Sequence, residues 1–281
     1  MQITMNNRNN QEYEKMMDDL IQNVFGFSFG PWFERELWDE RYESYSVIEN
    51  GVMLANVCIF KTDMIVSGSA MRAHQFGAVA TRKSERGRGL SRLLLEYVLG
   101  KYPDTPAYLA ANPSVTDFYP KLGFRQIQTY RPQIAVEINN TAIPVKLSPD
   151  AETVAEMLTL RGAYSKVLDA LNAGAIQVFH MILEYEDSIY ELSECGALVV
   201  AEQEGRRLFI ADVISRTPLS FADICRELPF SGVSSVEFGF CPDWLGIACE
   251  WVPADMEEQP YFVHGTWNLP TKFRFPAMSE T

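Results

Sequence analysis

The chain has 281 residues, 47% of them hydrophobic and 22% charged, the balance of a folded globular protein with room for two domains. Lys and Arg number 24 against 37 Asp and Glu; the net charge of −13 excludes general nucleic-acid binding, which needs a basic surface to displace phosphate counterions. The five cysteines include no CxxC pair, no apolar run approaches the about 18 residues of a membrane helix, and the N-terminus carries no signal-like apolar core; reduced thiols, no metal, no membrane contact and a cytoplasmic location are expected.

Met16, Met17, Leu20, Ile21 and Val24 recur at helical spacing and predict a helix over 11–25. Pro31 opens a second helix running through Trp38. Residues 46–49 and 53–60, around Asn50-Gly51, read as a hairpin, with further strands at 64–66 and 76–81. A helix after Gly89 precedes a strand at 108–111, a short helix over 114–123 that Pro120 shortens or kinks, and a strand from Phe124. The polar stretch 139–144 marks a boundary between units 1–138 and 145–281. Beyond it we expect helices over 151–171 and 176–192, a hairpin of 197–203 with 208–214, an amphipathic segment at 221–228 and a strand at 233–240. The fold class is α/β with mixed sheet in both halves.

One loop carries chemistry. Arg82, Lys83, Arg86, Arg88 and Arg92 crowd together in an acidic chain, broken by Gly87 and Gly89. A buried strand at 77–81 leads in, and Leu90, Leu93, Leu94, Tyr97 and Val98 start a helix. Strand, glycine loop and helix present unpaired backbone N–H groups and a positive helix end to an anion. A P-loop is absent, and a dinucleotide fingerprint needs glycine where Arg92 stands. The alternative is a solvated turn ahead of a core helix.

A second segment, Phe118-Tyr119-Pro120-Lys121-Leu122-Gly123-Phe124, follows at the right distance. Together the two resemble the GNAT N-acetyltransferase superfamily over roughly residues 1–135; Arg86-x-x-Gly89-x-Ser91 fits its phosphate loop except for Ser in the last place. The resemblance implies acetyl-CoA as cosubstrate, its pyrophosphate on the amides of Arg86, Gly87, Arg88, Gly89, Leu90 and Ser91. The pantetheine arm would lie along Val79, Ala80 and Thr81, in a slot opened by the splay from strand 108–111, with Asn112 nearby. Tyr119 matches the family's general acid; otherwise it is a packed aromatic. The base is not readable: His74 is the candidate, beside Glu34, Glu40, Asp63 or water alone.

The second half lacks a phosphate loop, and the whole resembles the tandem plan of Eis-type acetyltransferases without their third domain. The aromatic tail (Trp244, Trp251, Tyr261, Phe262, Trp267, Phe273, Phe275) is core packing or an acceptor-pocket lining. The expected activity is acetyl transfer to a primary amine of a small molecule or peptide, with homo-oligomerisation left open. The alternatives are a catalytically silent CoA-binding or regulatory module and a structural protein whose loop binds nothing.

Overall fold

The computed structural model describes residues 2–5, 8–141 and 143–280. After β1 (Ile3–Met5), α1 (Gln11–Phe25) starts where the Asn10 side chain accepts from the amides of Glu12 and Tyr13, and stops at Gly26 with φ 84°. Its range is the one expected, because both ends carry local caps. The second helix, α2 (Gly30–Glu34), is shorter than expected: Glu36 turns to φ 53°, and the Trp38 indole donates to the Tyr42 carbonyl at 2.7 Å.

Strands β2 (Tyr42–Glu49), β3 (Val52–Val66) and β4 (Ser69–Thr81) follow. The expected break between 53–60 and 64–66 is absent. Lys61, Thr62 and Asp63 pair with His74, Ala73 and Arg72, and Asp63 is matched by Arg41 and Arg72. Next come α3 (Leu90–Lys101) and β5 (Ala107–Ala110). The expected helix at 114–123 is two 3₁₀ turns, Pro113–Val115 and Tyr119–Leu122; Pro120 stands in the first turn of the second, where its missing N–H costs little.

After β6 (Arg125–Ile127), β7 (Tyr130–Asn139) and β8 (Val145–Lys146), the helix expected over 151–171 resolves into α4 (Glu152–Thr159) and a strand, β9 (Leu168–Leu171), paired with β3. Likewise 176–192 divides into α5 (Gly174–Leu183) and β10 (Ile189–Leu192), which pairs with β11 (Ala197–Glu204). Four-residue apolar runs do not announce their period, and pairing decides them. The hairpin of β11 with β12 (Arg207–Ser215) forms as expected, followed by α6 (Phe221–Glu227), β13 (Ser231–Phe238), β14 (Glu250–Pro253) and β15 (Tyr261–His264).

The first sheet runs β1-β2-β3-β4-β5-β15-β6 with β9 on β3, and the second β14-β7-β13-β12-β11-β10-β8. Strands therefore cross the 138/145 boundary in both directions: β9 and β15 join the first sheet, and β7 joins the second. The β9 crossing is pinned by charge. Arg161 reaches Asp169 on β9 at 3.2 Å and Asp212 on β12 at 3.3 Å. Although burial opposes its charge, the two carboxylates hold the guanidinium pKa above its usual value.

Candidate active site

The parallel pairing of β4 with β5 spans only His74↔Ala107 and Gln75↔Tyr108. Beyond it the strands part, and a cavity of about 230 Å³ opens, lined on this side by Phe76, Gly77, Ala78, Val79 and Ala110. A bulge reshapes β4 here: Asn56 pairs with Ala80 but Cys58 with Gly77, and Ala78 takes φ 46°. A buried polar chain holds it. The Tyr13 hydroxyl lies 2.7 and 2.6 Å from the Ser44 and Ser46 hydroxyls, both serines donate to Asn56 Oδ1, and Asn56 Nδ2 donates to the Ala78 carbonyl at 3.2 Å.

At its C-terminal end β4 passes through Thr81 into the basic loop. Gly87 (φ 82°) and Gly89 (φ 76°) are left-handed, and a Cβ on either would meet nothing within 4 Å. Gly89 is the N-cap of α3, and no side chain satisfies the first amides of that helix. Thr81 Oγ1 and Ser91 Oγ lie 2.6 Å apart, so the serine that departs from the family pattern ties the strand end to the helix start. Arg82, Arg88 and Arg92 are engaged by Asp19, Glu85 and Glu96, which leaves backbone amides as the main anion donors; Arg86 Nε reaches back to the Thr81 carbonyl at 3.4 Å. The loop is a cradle of backbone amides with open space at its glycines. The segment before α6 in the second half is built differently: Ser220 and Asp223 cap that helix reciprocally.

Of the other expected site residues, Val79 and Asn112 line the cavity, Ala80 is buried behind it, and Asn112 Oδ1 accepts from the Ser114 amide and hydroxyl. Tyr119 also lines it. Its ring is held by Phe118, Phe124 and Phe262, and burial pushes its hydroxyl up to about 12. His74 is not brought to the cavity. It packs edge-on against Tyr102, with ring centroids 4.5 Å apart. Glu34, Glu40 and Asp63 do not line the cavity either. Among the described residues no His/Cys/Asp/Glu group is arranged to hold a metal, and no helix is long and apolar enough to cross a membrane.

Burial lowers the His74 pKa to about 4. In the unfolded chain it titrates near ~6.5. Below that value the unfolded state takes up a proton that the folded state refuses, so stability is complete above pH 6.5 and is lost as pH falls through 4. The expected loss is about 3 kcal/mol. His74→Phe, which keeps a ring against Tyr102, should flatten urea-unfolding stability between pH 6.5 and 4; an unchanged slope would assign the acid lability elsewhere.

The opposite wall was not legible in the sequence. Phe25, Phe27, Phe29 and Trp32 come from the end of α1 and the turn into α2, Tyr42 from β2, and Ile176 and Phe179 from α5 in the second half. Asp18 shapes the turn by accepting from the Phe29 amide at 2.6 Å and from the Ser28 hydroxyl at 2.9 Å. The run Phe25-Gly26-Phe27-Ser28-Phe29 was the available signal. The aromatic tail of the chain packs into hydrophobic cores, with Phe262 beneath the first sheet and Tyr261, Phe273 and Phe275 in a separate cluster.

Comparison with known proteins bears on the same half. Residues 6–127 match a family model described as an acetyltransferase (GNAT) domain. Similar solved structures include a probable N-acyltransferase from Enterococcus faecalis (14% identity, TM-score 0.56, 94% of this chain and 72% of that one) and Eis1 from Mycobacterium abscessus (11%, 0.58, 94% and 73%). A putative acetyltransferase from Pyrococcus horikoshii matches at nearly full length on both sides (9%, 0.50, 99% and 96%). At these identities the structures establish the fold, an α/β architecture with two GNAT-like halves. No curated protein matches the sequence significantly.

Proposed function

Residues 6–127 belong to the GNAT acetyltransferase family, which makes the chain an acyltransferase of that type, and from this premise we propose an acetyl-CoA-dependent N-acetyltransferase acting on a primary amine. The observation that carries the reading is the order of features along β4: its bulged edge borders the cavity that Tyr119 also lines, and its C-terminal end leads through Thr81 to the uncapped N-terminus of α3.

The amides from Arg86 to Ser91 would hold the pyrophosphate of CoA, and the backbone of Val79, Ala80 and Thr81 its pantetheine arm. The cosubstrate supplies a thioester carbonyl for direct attack by the amine. Tyr119 donates its proton to the leaving sulfur. The division into units 1–138 and 145–281, a tandem plan and a cytoplasmic setting complete the proposal; the unpaired cysteines support the last.

Two measurements test it. Titration calorimetry should show CoA binding, and acetyl-CoA with an amine panel should release free thiol. The silent CoA-binding module is the second reading, favoured by the absence of carboxylate or imidazole from the cavity lining among the described residues. Heat on CoA addition without thiol release from any amine would establish it, and no heat would remove both. Gly89→Val forces a branched residue into a left-handed backbone at a cost of about 1–2 kcal/mol and places its methyls over the cradle. CoA affinity should fall at least tenfold while the Tm moves by only a few degrees; unchanged affinity would place the phosphate elsewhere.

A further inference from the structure

We propose that the acceptor is a weakly basic, aromatic primary amine (an arylamine or aryl hydrazine) that enters the cavity already neutral. This rests on the acetyl-transfer reading above and narrows it.

The acceptor side of the cavity is a wall of rings: Phe25, Phe27, Phe29, Trp32 and Phe179 face the bulged strand and Tyr119. Phe29 and Phe179 meet edge to face with centroids 5.2 Å apart, and Phe27 meets Phe179 at 6.0 Å. The wall continues to the surface, where Phe25 is 43% and Val115 42% exposed at the rim. The volume of about 230 Å³ exceeds the roughly 150 Å³ that accommodates benzene in an apolar cavity, so a substituted ring fits beside an acetyl group.

Charge is missing from this wall. The titratable side chains in the lining are Tyr42 and Tyr119, both driven up by burial and both neutral near pH 7. Three charged groups on or beside the packed elements have other partners. Asp18 on α1 holds the Phe27–Gly30 turn, Arg35 after α2 pairs with Asp150, and His180 on α5 contacts Glu184 and the Glu280 carbonyl. An ammonium entering here would lose its water without meeting a carboxylate. Ring faces do attract cations, but a bound ammonium has no lone pair with which to attack.

Proton balance leads to the same class. When a neutral amine nitrogen attacks the thioester carbonyl carbon, the C–N bond forms and the C–S bond breaks. The sulfur takes the phenolic proton of Tyr119, and the proton shed by nitrogen returns to the phenolate. Products are the N-acetyl amine and free thiol, and Tyr119 is restored. One acid suffices and no separate base is required. An alkylamine of pKa ~10.4 is neutral in roughly one molecule in 2,500 at pH 7 and needs a base this cavity does not offer.

The full chain with acetyl-CoA should be assayed for thiol release with 4-methoxyaniline, phenylhydrazine, benzylamine and a lysine peptide. The arylamine and hydrazine should exceed benzylamine in kcat/KM by at least 100-fold at pH 7 and stay flat from pH 6.5 to 9, while benzylamine should rise about tenfold per pH unit. Phe25→Glu sets a carboxylate at the exposed rim, where folding tolerates it. It should shift the preference towards benzylamine at least tenfold with CoA affinity unchanged. Preference of the wild type for benzylamine or the peptide overturns the acceptor assignment and leaves the acetyltransferase reading standing. Thiol release from none of them, with CoA binding intact, overturns both.

Discussion

Tyr119→Phe should lower kcat by about 10²–10⁴-fold, the usual contribution of a positioned acid, with CoA affinity unchanged and the Tm within a few degrees of wild type. The packing around Tyr119 makes this a clean substitution. Three rings clamp the Tyr119 ring, at 5.2 Å (Phe118), 5.9 Å (Phe124) and 5.5 Å (Phe262), and phenylalanine keeps all three contacts. Among the described residues no side chain or carbonyl bonds the hydroxyl, so its removal orphans nothing. Burial holds the phenol at about 12, against roughly 8.5 for a free thiol. Complete transfer to sulfur ahead of proton loss from nitrogen would be uphill by about 5 kcal/mol, so the two proton movements must be closely coupled. The sign for pH follows. The acid form persists until pH rises through about 12, and wild-type kcat should show no basic limb from Tyr119 below pH 10. Wild-type turnover in the phenylalanine variant, with an unchanged pH profile, would reduce Tyr119 to a packed aromatic.

Arg161→Met should destabilise the protein by about 3–5 kcal/mol, because it strands two buried carboxylates. Asp169 and Asp212 keep other donors, the Ala170 amide at 2.9 Å and the Gln177 side chain at 2.7 Å respectively, but lose the cation that balances them. For a chain of this size the loss corresponds to a fall in Tm on the order of 10 °C. Burial already raises the Asp169 carboxyl pKa against the pull of Arg161, and without the guanidinium it should rise further. A raised carboxyl stabilises at low pH and is lost as pH rises, so the variant should be firmer at pH 5 than at pH 8. Adding Asp169→Asn and Asp212→Asn should recover most of the stability by removing the stranded charges. A single variant as stable as wild type in urea would show that water already shields the pair.

The legible parts of this molecule are those whose cause is local. Helix α1 carries its own caps in Asn10 and Gly26, the Gly205-Arg206 turn sets the β11–β12 hairpin, and glycines 87 and 89 announce a cradle before any tertiary contact exists. The unexpected parts have distant causes. Residues 168–171 are a strand because β3 extends far enough to pair with them. Phe179 reaches the cavity through the packing of α5 on α2, where the Trp32 indole donates to the Ala175 carbonyl at 3.0 Å. His74 is a rare imidazole on the strand that leads to the basic loop, but the face it occupies follows from strand register and the bulge beyond it.

The insertion of β15 between β5 and β6 also imposes a timetable on biosynthesis. A nascent chain that has emerged to Ile127 holds the entire cradle and Tyr119, yet the strand that joins β5 to β6 has still to be translated. At 5–20 residues per second the wait for His264 lasts between roughly 7 and 27 seconds, during which the facing edges of β5 and β6 are unpaired and open to wrong partners. The ribosome therefore delivers the candidate active-site segments long before the sheet that carries them can close, and the yield of folded protein depends on what shields those edges in the interval.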